Sequence, residues 1–220
     1  MKKLTLILAI VLATVTVSAQ HAHQSHVQSA KSKEVMKLMK NHKYMELNQA
    51  MRKLWSDHMH WTLATVDAFF NEPDQLDIKL ARLLDNQKHI GEAIVPFYGE
   101  AAGAQLTKLL TEHITGAVPV LVAAKENDSK ALDTAVKNWY KNAEEIADFL
   151  SAANPKHWPA EATRPALESH ITHTIEYSVN ILKGEYKESI EGFESALAHM
   201  LQLADILSEG VAKQFPKALK

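Results

Sequence analysis

From Lys33 onward apolar residues recur at intervals of three and four, the signature of helices that bury one face. The first row runs Val35, Met36, Met39, Met45, Leu47, Met51, Leu54, Trp55, His58, Trp61, Thr62, Thr65. It predicts one long helix, broken near Asn41-His42. The helix stops at Asn71-Glu72-Pro73-Asp74, because a residue preceding proline avoids the helical region. A second helix is expected from about Gln75 to Val95, closed by Pro96-Phe97-Tyr98-Gly99. A third runs from about Glu100 to Lys125, with a kink predicted at Pro119. Asn127-Asp128-Ser129 supplies a turn and an N-cap for a fourth, reaching about Ala153. After the loop 154–159, a fifth covers about Ala160 to Lys183, with Gly184 as its C′ residue, and a sixth covers Tyr186 to Phe215.

Within this pattern a unit recurs. On the first helix of each pair stand His58, His113 and His170, at steps of 113 − 58 = 55 and 170 − 113 = 57. On the second stand Asn86, Asn142 and His199, at steps of 142 − 86 = 56 and 199 − 142 = 57. Ile90-Gly91, Ile146-Ala147 and Leu203-Ala204 follow at a constant offset. Such self-similarity implies three tandem αα-hairpins of about 56 residues. The expected fold is an all-α six-helix up-down bundle, with hairpins at about 33–97, 98–155 and 160–216. Helices one, three and five would run parallel, setting the three histidines at one height.

Composition adds a location and removes several functions. Residues 1–19 read as a cleavable signal peptide: two lysines, the apolar run Leu4–Val17 and the small-residue site Val17-Ser18-Ala19. A periplasmic or secreted protein is therefore expected, with residues 20–32 as a flexible histidine-containing arm and 33–220 as one helical domain. No later stretch approaches membrane-spanning length. With no cysteine there is no disulfide, no lipidated N-terminus and no cysteine catalysis. The 24 basic and 26 acidic residues leave no single-sign field for nucleic acid. Serine-nucleophile motifs, phosphate-binding glycine loops and nucleotide fingerprints are missing from the sequence.

Histidine, at 12 residues, is the unusual component. The second helices carry polar residues at i, i+3 and i+6: Asn86, His89, Glu92; Asn142, Glu145, Asp148; His199, Gln202, Asp205. Facing inward, these stripes and the first-helix histidines would make an interior layer of imidazoles, amides and carboxylates. Imidazole suits zinc, copper or iron, with a carboxylate as the harder partner. The candidate metal ligands are His58, His113, His170 and His199, with Glu145, His173 and Asp148 to complete or orient the shell. His173 enters because His170-x-x-His173 can reach one ion. The same residues also allow a purely structural layer of buried hydrogen bonds. His21, His23 and His26 in the arm could chelate a metal weakly.

The stretches LWSDHMHWT (54–62), IGEAIVPFYGEAAGAQLTKLLTEHI (90–114), NWYKNAEEIADFLSAANP (138–155) and HMLQLADILSEGVAKQFP (199–216) resemble a family of small all-helical bacterial proteins. Its members are described chiefly as hypothetical, and the resemblance implies no activity, cofactor or catalytic residue. It spans nearly all of the expected mature chain, and its motifs include His58, His113, Asn142, Asp148, His199 and Asp205. Three readings remain at this point: a protein holding a transition-metal ion or small ligand, a non-catalytic structural or interaction module, and a metal-dependent oxidoreductase. No catalytic residue is assigned.

Overall fold

The structure, a computed structural model, describes residues 33–219; the leader 1–19 and the arm 20–32 lie outside the described residues. Residues 33–38 are helical and a turn at 39–40 ends them, so the break expected near Asn41-His42 is present. Six long helices follow: α1 (His42–Asn71), α2 (Leu76–Tyr98), α3 (Glu100–Glu126), α4 (Ser129–Ala153), α5 (Ala160–Lys183) and α6 (Tyr186–Gln214). The described residues contain no strand, and none of their helices is long and apolar enough to cross a membrane. The all-α bundle expected from the apolar periodicity is what forms.

Boundaries follow local chemistry. Asp128 caps α4 by accepting from the Ala131 amide at 2.9 Å. Asn127 ends α3 in the left-handed conformation, φ 57°, and Gly184 ends α5 at φ 75°. Two prolines behave differently from a simple stop signal. Pro96 lies inside the last turn of α2, and α3 continues through Pro119. Both are exposed, so the carbonyls deprived of an amide partner can turn to water.

Consecutive helices from α2 to α6 pack against one another, α2 on α3, α3 on α4, α4 on α5 and α5 on α6. Helix α1 bonds to both ends of this row. Asn86 Nδ2 of α2 donates to Leu54 O at 3.0 Å. From α6, Asp205 accepts from Asn48 at 2.9 Å and from Arg52 at 2.7 Å. The core between the helices is built on Met51, Trp55, Met59, Ile90, Leu110, Trp139, Ile171, Tyr177 and Met200.

One contact sets how closely α2 and α3 approach. A Cβ placed on Gly91 would stand 2.6 Å from the Gly103 carbonyl, and one on Gly103 would stand 2.8 Å from the Gly91 carbonyl. The Thr107 and Val95 side chains crowd the same places, and the two carbonyls belong to helix backbone that cannot swing aside. Gly103→Ala is expected to destabilise the protein by about 1–3 kcal/mol through overpacking. Gly116→Ala, whose Cβ would meet only Trp139 Cδ1 at 3.4 Å, should gain roughly 0.5 kcal/mol from helix propensity. Urea unfolding midpoints of the two variants check both signs.

Candidate metal centre

Each of the three first-helix histidines lies the same distance from its hairpin turn: 71 − 58 = 13, 126 − 113 = 13 and 183 − 170 = 13 residues before the helix end. Helices α1, α3 and α5 therefore carry them to one level. Their side chains converge. His58, His113 and His170 each offer a ring nitrogen, all within 4.8 Å of one another. The ring centroids stand 6.2, 5.4 and 5.5 Å apart, an almost equilateral triangle. His58 Nε2 and His170 Nε2 are 3.5 Å apart. All three rings are out of solvent, at 0%, 4% and 3% exposure.

The second helices hold the first in register through one repeated bond. Asn86 Nδ2 donates to Leu54 O at 3.0 Å, Asn142 Nδ2 to Leu109 O at 3.2 Å, and His199 Nε2 to Ala166 O at 2.8 Å. The acceptor is always the carbonyl four residues before the histidine: 58 − 4 = 54, 113 − 4 = 109 and 170 − 4 = 166. In the middle hairpin the same amide does a second job. Asn142 Oδ1 lies 3.0 Å from His113 Nδ1 and, being an acceptor, takes the Nδ1 proton. That fixes the His113 tautomer and leaves its Nε2 lone pair bare. The Trp139 indole donates to His113 O at 2.9 Å and its ring centroid lies 5.4 Å from the imidazole.

His58 has a comparable neighbour in Gln87. The Gln87 amide donates to Leu83 O at 2.8 Å and to Asn86 Oδ1 at 3.1 Å, which leaves its Oε1 buried and without a partner. His58 Nδ1 is likewise buried and unpartnered. Gln87 is close enough to favour a charged His58 ring, but the two fall short of hydrogen-bond geometry. His170 Nδ1 also lacks a partner. Gln87 was not among the residues singled out from the sequence. A signal was there: it occupies a polar place in the otherwise apolar row Leu83, Gln87, Ile90, Ile94.

Electrostatically the cluster is neutral. Burial drives the His58 ring down to about 3, with His113 adding to the effect. Burial likewise drives His113 down to about 4, against a small opposing contribution from Asn142. His170 is pushed well below the usual histidine range by burial and then by His58 and His113. Among the described residues no carboxylate contributes to any of these shifts.

The other expected ligands stand apart from this triangle. Glu145 is exposed and faces Lys141 at 3.6 Å. Asp148 is exposed and accepts from Arg164 at 2.6 Å. His199 is half-buried and committed to Ala166 O, with the His173 ring 5.4 Å away. The inward polar stripe is thus corrected. Of its nine residues only Asn86 and Asn142 are buried. Each step of three rotates about 300°, so by i+6 a stripe has turned about a third of the way round its helix. The interior layer therefore holds imidazoles and amides but no carboxylate.

Beyond the triangle, towards the hairpin turns, lies a cavity of about 110 Å³ lined by the three histidines and by Thr62, Val66, Phe69, Leu80, Leu83, Ala117, Leu121, Trp139 and Thr174. A second lobe of about 110 Å³ shares Thr62, Val66, Ala117, Leu121, Trp139 and Thr174, and continues to Phe70, Leu132 and Leu182. The hydroxyls do not wet these walls. Thr62 donates to His58 O at 2.7 Å and Thr174 to His170 O at 2.9 Å, so the threonines offer mainly their methyls. The first lobe reaches exposed Val118 and half-exposed Leu76 at the surface.

Fold and site together define an all-helical bundle with a buried, neutral, three-histidine cluster on the floor of an apolar cavity. Comparison with family models, with curated proteins and with solved structures finds no match for the chain.

A pH dependence follows from the neutral rings. In the unfolded chain each histidine takes up a proton below about pH 6.5. In the folded chain His58 does so only near 3 and His113 near 4. Protonation thus favours the unfolded state. For the metal-free protein this contribution to stability is full above about pH 6.5 and is lost as the pH falls towards about 4. Urea midpoints measured at stepped pH should show that loss. A His58→Gln, His170→Gln variant should show a shallower slope over the same window, having fewer groups to protonate on unfolding.

Proposed function

We propose that the protein binds a divalent transition-metal ion through His58, His113 and His170, leaving an open coordination position on the cavity side. The observation that carries this reading is the convergence of three buried, neutral imidazoles. Neutral imidazole is the ligating form, and nitrogen donors favour zinc, copper, nickel or iron over magnesium and calcium. At Zn–N bonds of about 2.0–2.1 Å, neighbouring nitrogens on a tetrahedral ion lie about 3.4 Å apart. The 3.5 Å between His58 Nε2 and His170 Nε2 matches that span. His113 closes the face with a shift of at most about 1.4 Å, from the 4.8 Å outer limit to the tetrahedral span.

The surrounding bonds support it further. Metal-bound imidazoles commonly donate their second nitrogen to an acceptor that fixes the ring. Asn142 does this for His113. Gln87 Oε1 is placed to do so for His58 once the ring tightens onto an ion. Asn86, Asn142 and His199 would then act as positioning residues rather than ligands, holding helices at the height the ligands need. A purely structural layer explains the three carbonyl bonds. It gives no reason for bringing three ring nitrogens within 4.8 Å of one another in the bundle interior, two of them Nε2 atoms at 3.5 Å. The leader read in residues 1–19 supports loading in an exported compartment.

Elemental analysis and Co²⁺ titration of tag-free protein test the reading. One ion per chain is expected, lost in His113→Ala, His170→Ala. Glu145→Ala and Asp148→Ala should bind as the unaltered protein does. Asn142→Ala should bind about 10–100-fold more weakly, as removal of a ligand's hydrogen-bond partner usually does. Unchanged metal content in the double histidine variant would overturn the site.

A further inference from the structure

The loaded site poses a problem of charge that its own residues do not solve. Three neutral imidazoles leave a divalent ion with its full charge of about +2. Such a charge in a poorly solvated interior carries a penalty of several kcal/mol unless it is paired. The lining of both cavity lobes contains no aspartate, glutamate, tyrosine or cysteine that could supply an anion. Glu145 and Asp148 are held on the surface by Lys141 and Arg164. The balancing charge must come from outside the chain.

The cavity says what kind of molecule brings it. Hydroxide would meet the charge but leave apolar walls around vacant space. Each lobe holds about 110 Å³, and the two share Thr62, Ala117, Leu121 and Thr174. A dry apolar cavity of about 150 Å³ takes a benzene ring, so one lobe takes a short alkyl chain and the two adjoining lobes together take a small ring. Solvent reaches the first lobe beside Val118, which is 38% exposed.

We infer that the metal-loaded site binds monocarboxylates with apolar bodies, the carboxylate on the ion's open position and the alkyl or aryl body in the cavity. This rests on the metal reading above and names the ligand class of the same centre. The carboxylate neutralises part of the ion's charge where no protein group does. The tail fills the space that the backward-bonded threonines keep free of polar atoms. Selectivity then comes from the two ends together. A short anion gains only the metal bond, and an uncharged tail gains only burial.

The test uses the full exported chain loaded with Co²⁺, read by its visible absorption. Acetate, butyrate, hexanoate, octanoate and benzoate are titrated, with hexanol as the uncharged control. From acetate to hexanoate the affinity should rise about fourfold per methylene, from about 0.8 kcal/mol per buried CH₂, and level off once the lobes are full. Hexanol should leave the spectrum unchanged. Ala117→Phe, at the wall between the lobes, should keep Co²⁺ and acetate affinity within threefold and lose the gain for hexanoate. Failure to bind Co²⁺ at all overturns the metal reading and the ligand class with it. Co²⁺ binding with equal response to acetate and hexanoate, or with hexanol matching hexanoate, overturns the ligand class alone. The chain-length series in the unaltered protein decides the matter even where the phenylalanine variant does not fold.

Discussion

The structure depends on a bond that uses the spare lone pair of a helical carbonyl. In an α-helix the carbonyl four residues before a given position already accepts that position's amide proton, and one lone pair remains. Asn86, Asn142 and His199 each spend a donor on this remaining site, at Leu54, Leu109 and Ala166. The bond reaches the backbone, not a rotatable side chain, so it sets the axial position of one helix against its neighbour. Each bond fixes the second helix of a pair against the first, and the equal distance of His58, His113 and His170 from their helix ends, 13 residues in each case, carries the three rings to one level.

A hydrogen-bonded layer and a metal centre are therefore successive levels of one device. The second-helix residues fix the helices, and in the middle hairpin Asn142 also fixes the imidazole tautomer. The Nε2 side of the rings faces the neighbouring imidazoles, and the cluster opens onto apolar walls. Burial keeps the rings neutral, which is unfavourable for the fold in acid and favourable for ligation. A sequence that places three imidazoles in such surroundings breaks the usual rule of polar satisfaction, and departures of that kind concentrate at functional sites.

Much of this was legible from residue spacing. The six helices, the break at residues 39–41, the Asp128 cap and the αL residue Gly184 follow from local rules that packing does not override. His58, His113 and His170 were legible because a shared offset from the turns places residues at a shared height. The partition between ligand and scaffold was not. His199 matches Asn142 in position, and its bond to Ala166 O gives it the asparagine's part, though its side chain alone suggests a ligand. Glu145 and Asp148 were misleading because a three-residue stripe spirals away from the core, and paired cations hold both outside. Gln87 and the cavity escaped notice because periodicity marks which positions are buried, not how fully the space between them is filled.

The central claim is three-imidazole ligation of a metal ion with one position left open. X-ray absorption at the zinc edge of the Zn²⁺-loaded protein tests it most directly. The account predicts three nitrogen scatterers at about 2.0–2.1 Å with imidazole multiple scattering, and one further light atom. A shell of oxygen scatterers without the imidazole signature, or four imidazoles with no open position, would contradict it.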